Sequence, residues 1–222
     1  MPWCCGVVGR QGDGRCSQKR KRSCPDRFIL IGVELTRRQA ELADFALRLI
    51  ARDGLPGLSF RAVAAAAGCS LGAVQKAFPS KERMLAAAFA QLRRTAAPLP
   101  PGQPGRPTLR SWLVALLLGI LPLDEPRIAA QRQGDAFAQR ALTDPGIAAA
   151  IAESDTQVRG LLASLIARAR AENEVPQHVD PAATAWAVFA LAQGLAAQLL
   201  YMPEPETTIR DRLDSTIGAL LR

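Results

Sequence analysis

The sequence predicts an all-α fold, and three observations support that prediction. Alanine and leucine, which both favour helices, dominate a composition that is 49% hydrophobic and only 5% aromatic. The period-2 alternation of Val, Ile, Thr and Tyr that indicates strands does not occur. Helix-capping residues precede apolar stripes of helical period from residue 36 onward. At 222 residues, the chain is long enough to bury a full core in one or two domains.

Four predicted helices form a first unit over residues 34–96. Each begins with a hydroxyl residue that can accept a hydrogen bond from a free backbone amide. Thr36 also forms a capping box with Gln39. The predicted N-caps are Thr36, Ser59, Ser70 and Ser80, and the predicted stops of the first three helices are Gly54, Gly68 and Pro79.

A run rich in proline and glycine, residues 97–107, is predicted to be a linker. Longer and more apolar helices follow it, and they form a second domain over residues 106–222. We expect these helices near residues 109–120, 125–142, 145–173, 180–201 and 206–221.

Basic charge is concentrated in the first part of the chain. Residues 1–33 carry +5, residues 34–95 carry another +5 and residues 96–222 carry −2, which together give the net charge of +8. A polyanion would therefore dock ahead of residue 96, although a solvated basic tail with ordinary surface charge gives the same totals. Residues 1–33 lack any period and predict a disordered extension. Two interpretations remain open: an arm that contacts phosphates, or translated sequence upstream of a start at Val33.

Several classes of protein are disfavoured. Five cysteines at irregular spacing and one distant histidine, His178, predict no disulfide framework and no metal site. Without a Gly-rich phosphate loop or a Ser-His-Asp set, we expect no cofactor and no enzyme activity. The best apolar run, Trp112–Leu121, is about half the length that a bilayer needs, so we expect a cytoplasmic protein with no membrane partner.

The segment GCSLGAVQKAFPSKERM, residues 68–84, has the layout of a helix-turn-helix, and its surroundings resemble the DNA-binding domain of the TetR family of transcriptional regulators. The resemblance covers residues 36–92. It rests on ARDG at 51–54, LSFRAVA at 58–64, AGCSLGAV at 67–74, FPSKE at 78–82, and Leu85. This sequence departs from the family at Gln75, where tyrosine is usual, and at Ala77, where histidine is common.

The resemblance implies a double-stranded DNA operator as a partner. Small residues at the start of the third helix let its N-terminal end enter a major groove about 12 Å wide. Gln75 can contact the backbone or read adenine, whereas Ala77 can do neither. The residues predicted to bind DNA are Ser59, Arg61, Ser70, Leu71, Gly72, Ala73, Gln75, Lys76 and Lys81.

The second domain is similar, more loosely, to the BetI-like branch of the family, which implies a homodimer and an unknown small-molecule effector. The pocket candidates are Trp112, Gln133, Phe137 and Trp186, although a residue of each of these kinds is more often plain core. The candidates for the dimer interface are Ala185, Phe189, Ala192, Gly194, Ala196 and Leu199. The expected function is a ligand-responsive repressor that a small molecule releases from a palindromic operator. The alternative is a helical protein-interaction module that has lost specific DNA binding.

Overall fold

A computed structural model describes residues 34–95 and 107–222, and within these ranges the protein is built of nine α-helices without a strand. The predictions for residues 1–33 and for most of the linker lie outside the described residues. The helices are α1 Arg37–Asp53, α2 Phe60–Ala66, α3 Leu71–Ala77, α4 Lys81–Thr95, α5 Leu109–Ile120, α6 Glu125–Ala141, α7 Pro145–Ala171, α8 Pro181–Leu199 and α9 Glu206–Leu220.

The helix starts follow from local capping chemistry. Short side-chain oxygens accept hydrogen bonds from amides of the first turn, which would otherwise lack partners. Proline occupies the first position of α7 and of α8, where its missing N–H costs nothing. The side chains that cap in this way are Thr36, Ser59, Ser70, Ser80, Thr108, Asp124, Asp144 and Asp180.

The buried apolar side chains form two separate clusters. Core cluster 1 joins α1 to α4 with Phe137 of α6 and with Ile147 and Ala150 of α7. Core cluster 2 joins α5, α8 and α9 with the C-terminal half of α7, from Leu162 to Ala169. Helix α7 therefore contributes to both clusters. Between residues 152 and 161 it has no buried residue.

An ion pair fixes α5 against α9 beside core cluster 2. The guanidinium of Arg110 donates two hydrogen bonds to Asp214, from Nε to Oδ1 at 2.8 Å and from Nη2 to Oδ2 at 2.5 Å. Gly218 lies directly under this guanidinium, and a Cβ there would approach Arg110 Cζ to 2.8 Å. The bare backbone of Gly218 thus leaves room for the arginine across the helix pair.

Helix α8 is the longer of the two strongly apolar helices of the second domain, the other being α5. It carries no charged residue, and by length and composition it could cross a membrane, although core helices of globular proteins pass the same criterion. Thr184 and two glutamines interrupt its apolar run, so the uninterrupted apolar runs of the sequence did not indicate this span. Its inward face supplies Ala185, Val188 and Leu199 to core cluster 2.

The turn between α2 and α3 depends on Gly68. Its φ is +61°, in the left-handed region that glycine adopts at no steric cost. The amide of Cys69 donates to the Ala64 carbonyl at 3.0 Å and that of Gly68 to Ala65 at 3.3 Å, which is the Schellman pattern of a helix end. The predicted stop at Gly68 is therefore confirmed, and the turn directs the chain into α3.

We expect Gly68→Ala to lower the free energy of unfolding by about 1–2 kcal/mol, since an L-residue is strained at positive φ. A Cβ at Gly68 meets no atom within 4 Å, and the same holds for Gly72 in α3. Gly72→Ala is therefore the matched control, and helix propensity should make it neutral or stabilising by up to about 1 kcal/mol. Urea unfolding measures both. Equal effects of the two substitutions would contradict the role of the φ angle.

Candidate functional site

Helix α3 presents most of its surface to solvent. Val74 is its only fully buried side chain, and Leu71 and Ala73 are half-buried. Gly72, Gln75 and Lys76 are exposed. The seven-residue helix therefore shows a free face made of one glycine, one amide and one cation, which is suited to entering a groove.

One serine hydroxyl caps the start of α2, and another caps the start of α3. Ser59 Oγ accepts from the Ala62 amide at 3.1 Å, and Ser70 Oγ accepts from the Ala73 amide at 3.2 Å. Both serines are exposed. Because each hydroxyl uses only a lone pair for capping, its proton stays available to donate to a phosphate oxygen.

Exposed cations also occur on α2, on α3 and at the start of α4. Arg61 on α2, Lys76 on α3 and Lys81 at the start of α4 are exposed, and none of the three forms a salt bridge with another described residue. In contrast, Arg37 and Arg38 at the start of α1 share Glu41, at 3.1 and 3.4 Å. The predicted DNA-binding residues of α2, α3 and α4 thus include three exposed cations that no described acidic residue neutralises by a salt bridge, and their contact with DNA stays a prediction.

The start of α4 carries an acidic side chain, Glu82, whose negative charge is stabilised there. Glu82 accepts a hydrogen bond from its own backbone amide, which holds the pKa of its carboxyl below the ordinary value, and Ser80, Arg140 and Lys81 act in the same direction. Helix N-termini favour anions in this way. Arg140 lies on α6, so this electrostatic contact joins the first domain to the second.

The four residues predicted for an effector pocket occupy three different environments. Phe137 is 1% exposed in core cluster 1, with its ring 4.9 Å from that of Phe89. Gln133 is on the same helix, α6, and its Nε2 donates to the Leu47 carbonyl of α1 at 3.1 Å. Trp112 packs against core cluster 2, and Trp186 is 61% exposed. Gln133 and Phe137 thus link the two domains, and contact of any of the four with an effector stays a prediction.

The residues predicted for a dimer interface need correction. Ala185, Ala192, Ala196 and Leu199 are buried within the protomer, and only Gly194 is exposed, with Phe189 half-buried. Because α8 is apolar on every side, helical period could not show which face turns inward. The exposed residues of α8 are Ala182, Ala183, Trp186, Ala190, Gln193, Gly194 and Ala197.

A charged pair that sequence reasoning missed lies at the middle of α7, between the two core clusters. Desolvation raises the pKa of Asp155, and the neighbouring Arg159 only partly offsets this. Arg159 Cζ lies 5.7 Å from the ring centroid of Phe189 on α8. The available signal was that Asp155 interrupts the apolar stripe between Ile151 and Leu162.

A helix-turn-helix with an exposed basic face, joined to a larger helical body, is the architecture of a DNA-binding regulator. Comparison with known proteins agrees. The family model for "Bacterial regulatory proteins, tetR family" matches residues 42–88, and that for "BetI-type transcriptional repressor, C-terminal" matches residues 109–222. The chain belongs to the TetR family, whose fold is that of transcriptional regulators.

Individual relatives show the same likeness. A solved transcriptional regulator from Rhodococcus sp. Rha1 is 31% identical, with 84% of this chain and 96% of that chain covered and a TM-score of 0.71. The multidrug binding protein EbrR, solved with imidazole, is 25% identical over 86% and 96% of the chains, with a TM-score of 0.58. The HTH-type nicotine-responsive transcriptional repressor HdnoR of Paenarthrobacter nicotinovorans is 42% identical over 55 residues, which are 25% of this chain and 28% of that relative.

The raised pKa of Asp155 gives a pH-dependent prediction. Folding favours the protonated carboxyl of Asp155. The stability that this protonation provides is fully present below the ordinary pKa of 3.8, and it is lost as the pH rises through the raised pKa of the folded protein. Asp155→Asn should therefore raise the melting temperature at about pH 7 by a small amount, on the order of 1 °C, because solvent screens this half-exposed group. The gain should shrink as the pH approaches about 4. Thermal unfolding at both pH values measures this, with Asp211→Asn at an exposed site of α9 as the control; a gain that does not depend on pH would contradict it.

Proposed function

We propose that this protein is a ligand-responsive, sequence-specific transcriptional repressor that acts in the cytoplasm and leaves a palindromic double-stranded operator when a small molecule binds. The observation that carries the proposal is the free face of α3. Only Val74 of that helix is buried, while Gly72, Gln75 and Lys76 face solvent. A short helix exposed in this way suits insertion into a major groove.

The exposed residues are proposed to make two kinds of DNA contact, with bases and with phosphates. Gln75 carries an amide that pairs bidentately with adenine, so it is the proposed base reader. Arg61, Lys76 and Lys81 are exposed and form no salt bridge with another described residue, and the Ser59 and Ser70 hydroxyls can each donate a proton, so these residues are the proposed phosphate contacts. Leu71, Gly72 and Ala73 allow the start of α3 to approach the groove closely.

A homodimer is proposed through the outward face of α8. Trp186, Ala190 and Ala197 repeat along this face at helical spacing, and a large exposed apolar surface marks an association site. A two-fold dimer presents two copies of α3, and half-sites about 34 Å apart then form a palindrome.

The effector is proposed to bind in the second domain near the middle of α7, where the two core clusters separate. Helix α6 connects this region to the DNA-binding unit through the Gln133–Leu47 hydrogen bond and the Phe137–Phe89 contact. A shift of α6 on effector binding would therefore change the spacing of the two α3 helices. A coupling of about 1–3 kcal/mol between the two sites is typical of such regulators.

The DNA contacts predict two different responses to substitution. Selection from a random DNA library at near-physiological salt should recover one palindrome with the parent chain. Gln75→Ala should then cost about 1–3 kcal/mol at one base position of each half-site and relax the preference there. Lys81→Ala should weaken binding to all sequences and reduce the salt slope by about 1 per subunit. Fluorescence anisotropy titrations against salt measure both effects.

If Gln75→Ala weakens binding to the selected and unselected sequences equally, Gln75 contacts the backbone and reads no base. If the parent chain itself recovers only unselective DNA, the repressor proposal is wrong. The departures at Gln75 and Ala77 would then favour a helical module that binds another protein.

The proposed dimer predicts a strong effect of Trp186→Asp. A carboxylate placed at the centre of the apolar face should yield monomers in sedimentation velocity and weaken operator binding on the order of 100-fold, since the second half-site is lost. Leu142→Asp is the matched control, because Leu142 is also an exposed apolar residue (79%) but lies at the junction of α6 and α7. A dimer that survives Trp186→Asp and dissociates with Leu142→Asp would place the interface elsewhere.

A further inference from the structure

The side chain of Gln39 contacts two helices at once. It stands in the first turn of α1, where its Oε1 accepts from the Thr36 amide at 3.0 Å and completes the capping box. Its other amide atom, Nε2, donates to the Ala77 carbonyl at 3.0 Å, across 38 residues of sequence. Ala77 is the last residue of α3. One glutamine therefore ties the start of α1 to the end of the proposed recognition helix.

Helix α3 needs such a contact because packing holds it weakly. It has seven residues and one fully buried side chain, Val74, and the next buried side chain is that of its C-cap residue Phe78. Its N-terminal end is fixed by the Ser70 cap and by the turn at Gly68. At its C-terminal end, the last carbonyls of a helix lack partners within the helix, and the Gln39 amide supplies one for Ala77.

The two ends that Gln39 joins both carry exposed cations. Arg37 precedes Gln39 by two residues and its side chain is 95% exposed, and Arg38 is partly exposed. Lys76 directly precedes Ala77 and is exposed. The hydrogen bond thus sets the position of charges on α1 relative to the base-reading face of α3.

We propose that Gln39 is a positioning residue for operator recognition, whose amide holds the C-terminal end of α3 against the first turn of α1. This role rests on the proposed function, since it concerns the fit of α3 to a specific sequence. In the proposed role, Gln39 itself contacts no base. It acts through the orientation of α3, and its loss should weaken binding to the operator more than binding to unselected DNA.

The substitution Gln39→Glu separates this role from helix capping. Glutamate is equally suited to the capping box and adds a favourable negative charge at the helix start, so α1 keeps its stability. A carboxylate cannot donate to the Ala77 carbonyl and is repelled by it. The variant therefore removes the contact to α3 while it retains the contact to Thr36.

Two control variants account for the remaining effects. Arg38→Gln changes the net charge by the same amount as Gln39→Glu but leaves the Gln39 amide in place, so it reports the loss that charge alone causes. Thr36→Ala removes the capping hydroxyl, which accepts from the backbone amide of Gln39 at 3.2 Å and donates to Gln39 Oε1 at 3.0 Å. The Gln39 side chain keeps its hydrogen bonds to the backbone amide of residue 36 and to the Ala77 carbonyl. This variant reports the effect of weaker capping.

The experiment measures affinity for the selected palindrome and for unselected DNA of the same length, together with the melting temperature. We expect Gln39→Glu to melt within about 4 °C of the parent, because the lost hydrogen bond and the gained charge at the helix start are of similar size. The ratio of the two affinities should fall about three- to tenfold, as the loss of one hydrogen bond implies. Arg38→Gln should weaken both affinities by a similar factor, and Thr36→Ala should lower the melting temperature with the ratio unchanged.

Three results would overturn the proposal. The affinity ratio could stay at the parent value in Gln39→Glu, it could fall equally in Arg38→Gln, or it could fall equally in Thr36→Ala. Failure of the underlying function looks different, because the parent chain would then show no preference for any sequence and the role of Gln39 would fall with it. A selective parent with an equally selective Gln39→Glu variant rejects the role of Gln39 alone.

Discussion

The contact between Phe137 and Phe89 is the interaction on which the arrangement of the two domains depends. Their rings lie 4.9 Å apart with an interplanar angle of 55°, and both side chains are buried in core cluster 1. Through Phe137, and through Ile147 and Ala150 of α7, the helix-turn-helix unit completes its core with residues from beyond the linker. A unit of some sixty residues buries little surface by itself, so borrowing apolar side chains is physically reasonable. The linker therefore separates the two units in the sequence, but side chains from both units pack in core cluster 1.

Helix α3 illustrates the opposite constraint. A helix that enters a groove must leave most of its surface unburied, so it gives up the apolar contacts that fix other helices. Val74 and the C-cap residue Phe78 supply apolar anchors, and polar contacts at the two ends add to them: the Ser70 cap, the turn at Gly68 and the Gln39 side-chain amide. Hydrogen bonds are directional and thus suit this task, since they orient a helix without covering it.

The sequence was informative wherever structure follows from local chemistry. Capping residues and prolines placed the helix starts, as at Pro145 and Pro181, because a cap acts within three residues of itself. Contacts between helices were not predictable. The apolar period of α6 marks Phe137 as inward but does not say that it meets Phe89 rather than an effector. On α8 the period is absent altogether, so the sequence could not tell buried Ala185 from exposed Trp186.

Helix α7 connects these features, because one continuous helix belongs to both cores. Its N-terminal end moves with core cluster 1 and hence with the helix-turn-helix unit, and its C-terminal half is fixed in core cluster 2 beside α8. The middle, around Asp155, has no buried residue and carries a carboxyl whose desolvation is unfavourable. Ligand-binding sites commonly lie where local interactions are unfavourable in the free protein, because binding of the ligand can restore the stability that is lost there. The effector site proposed near Asp155 and Arg159 would therefore lie on a helix that packs in both cores.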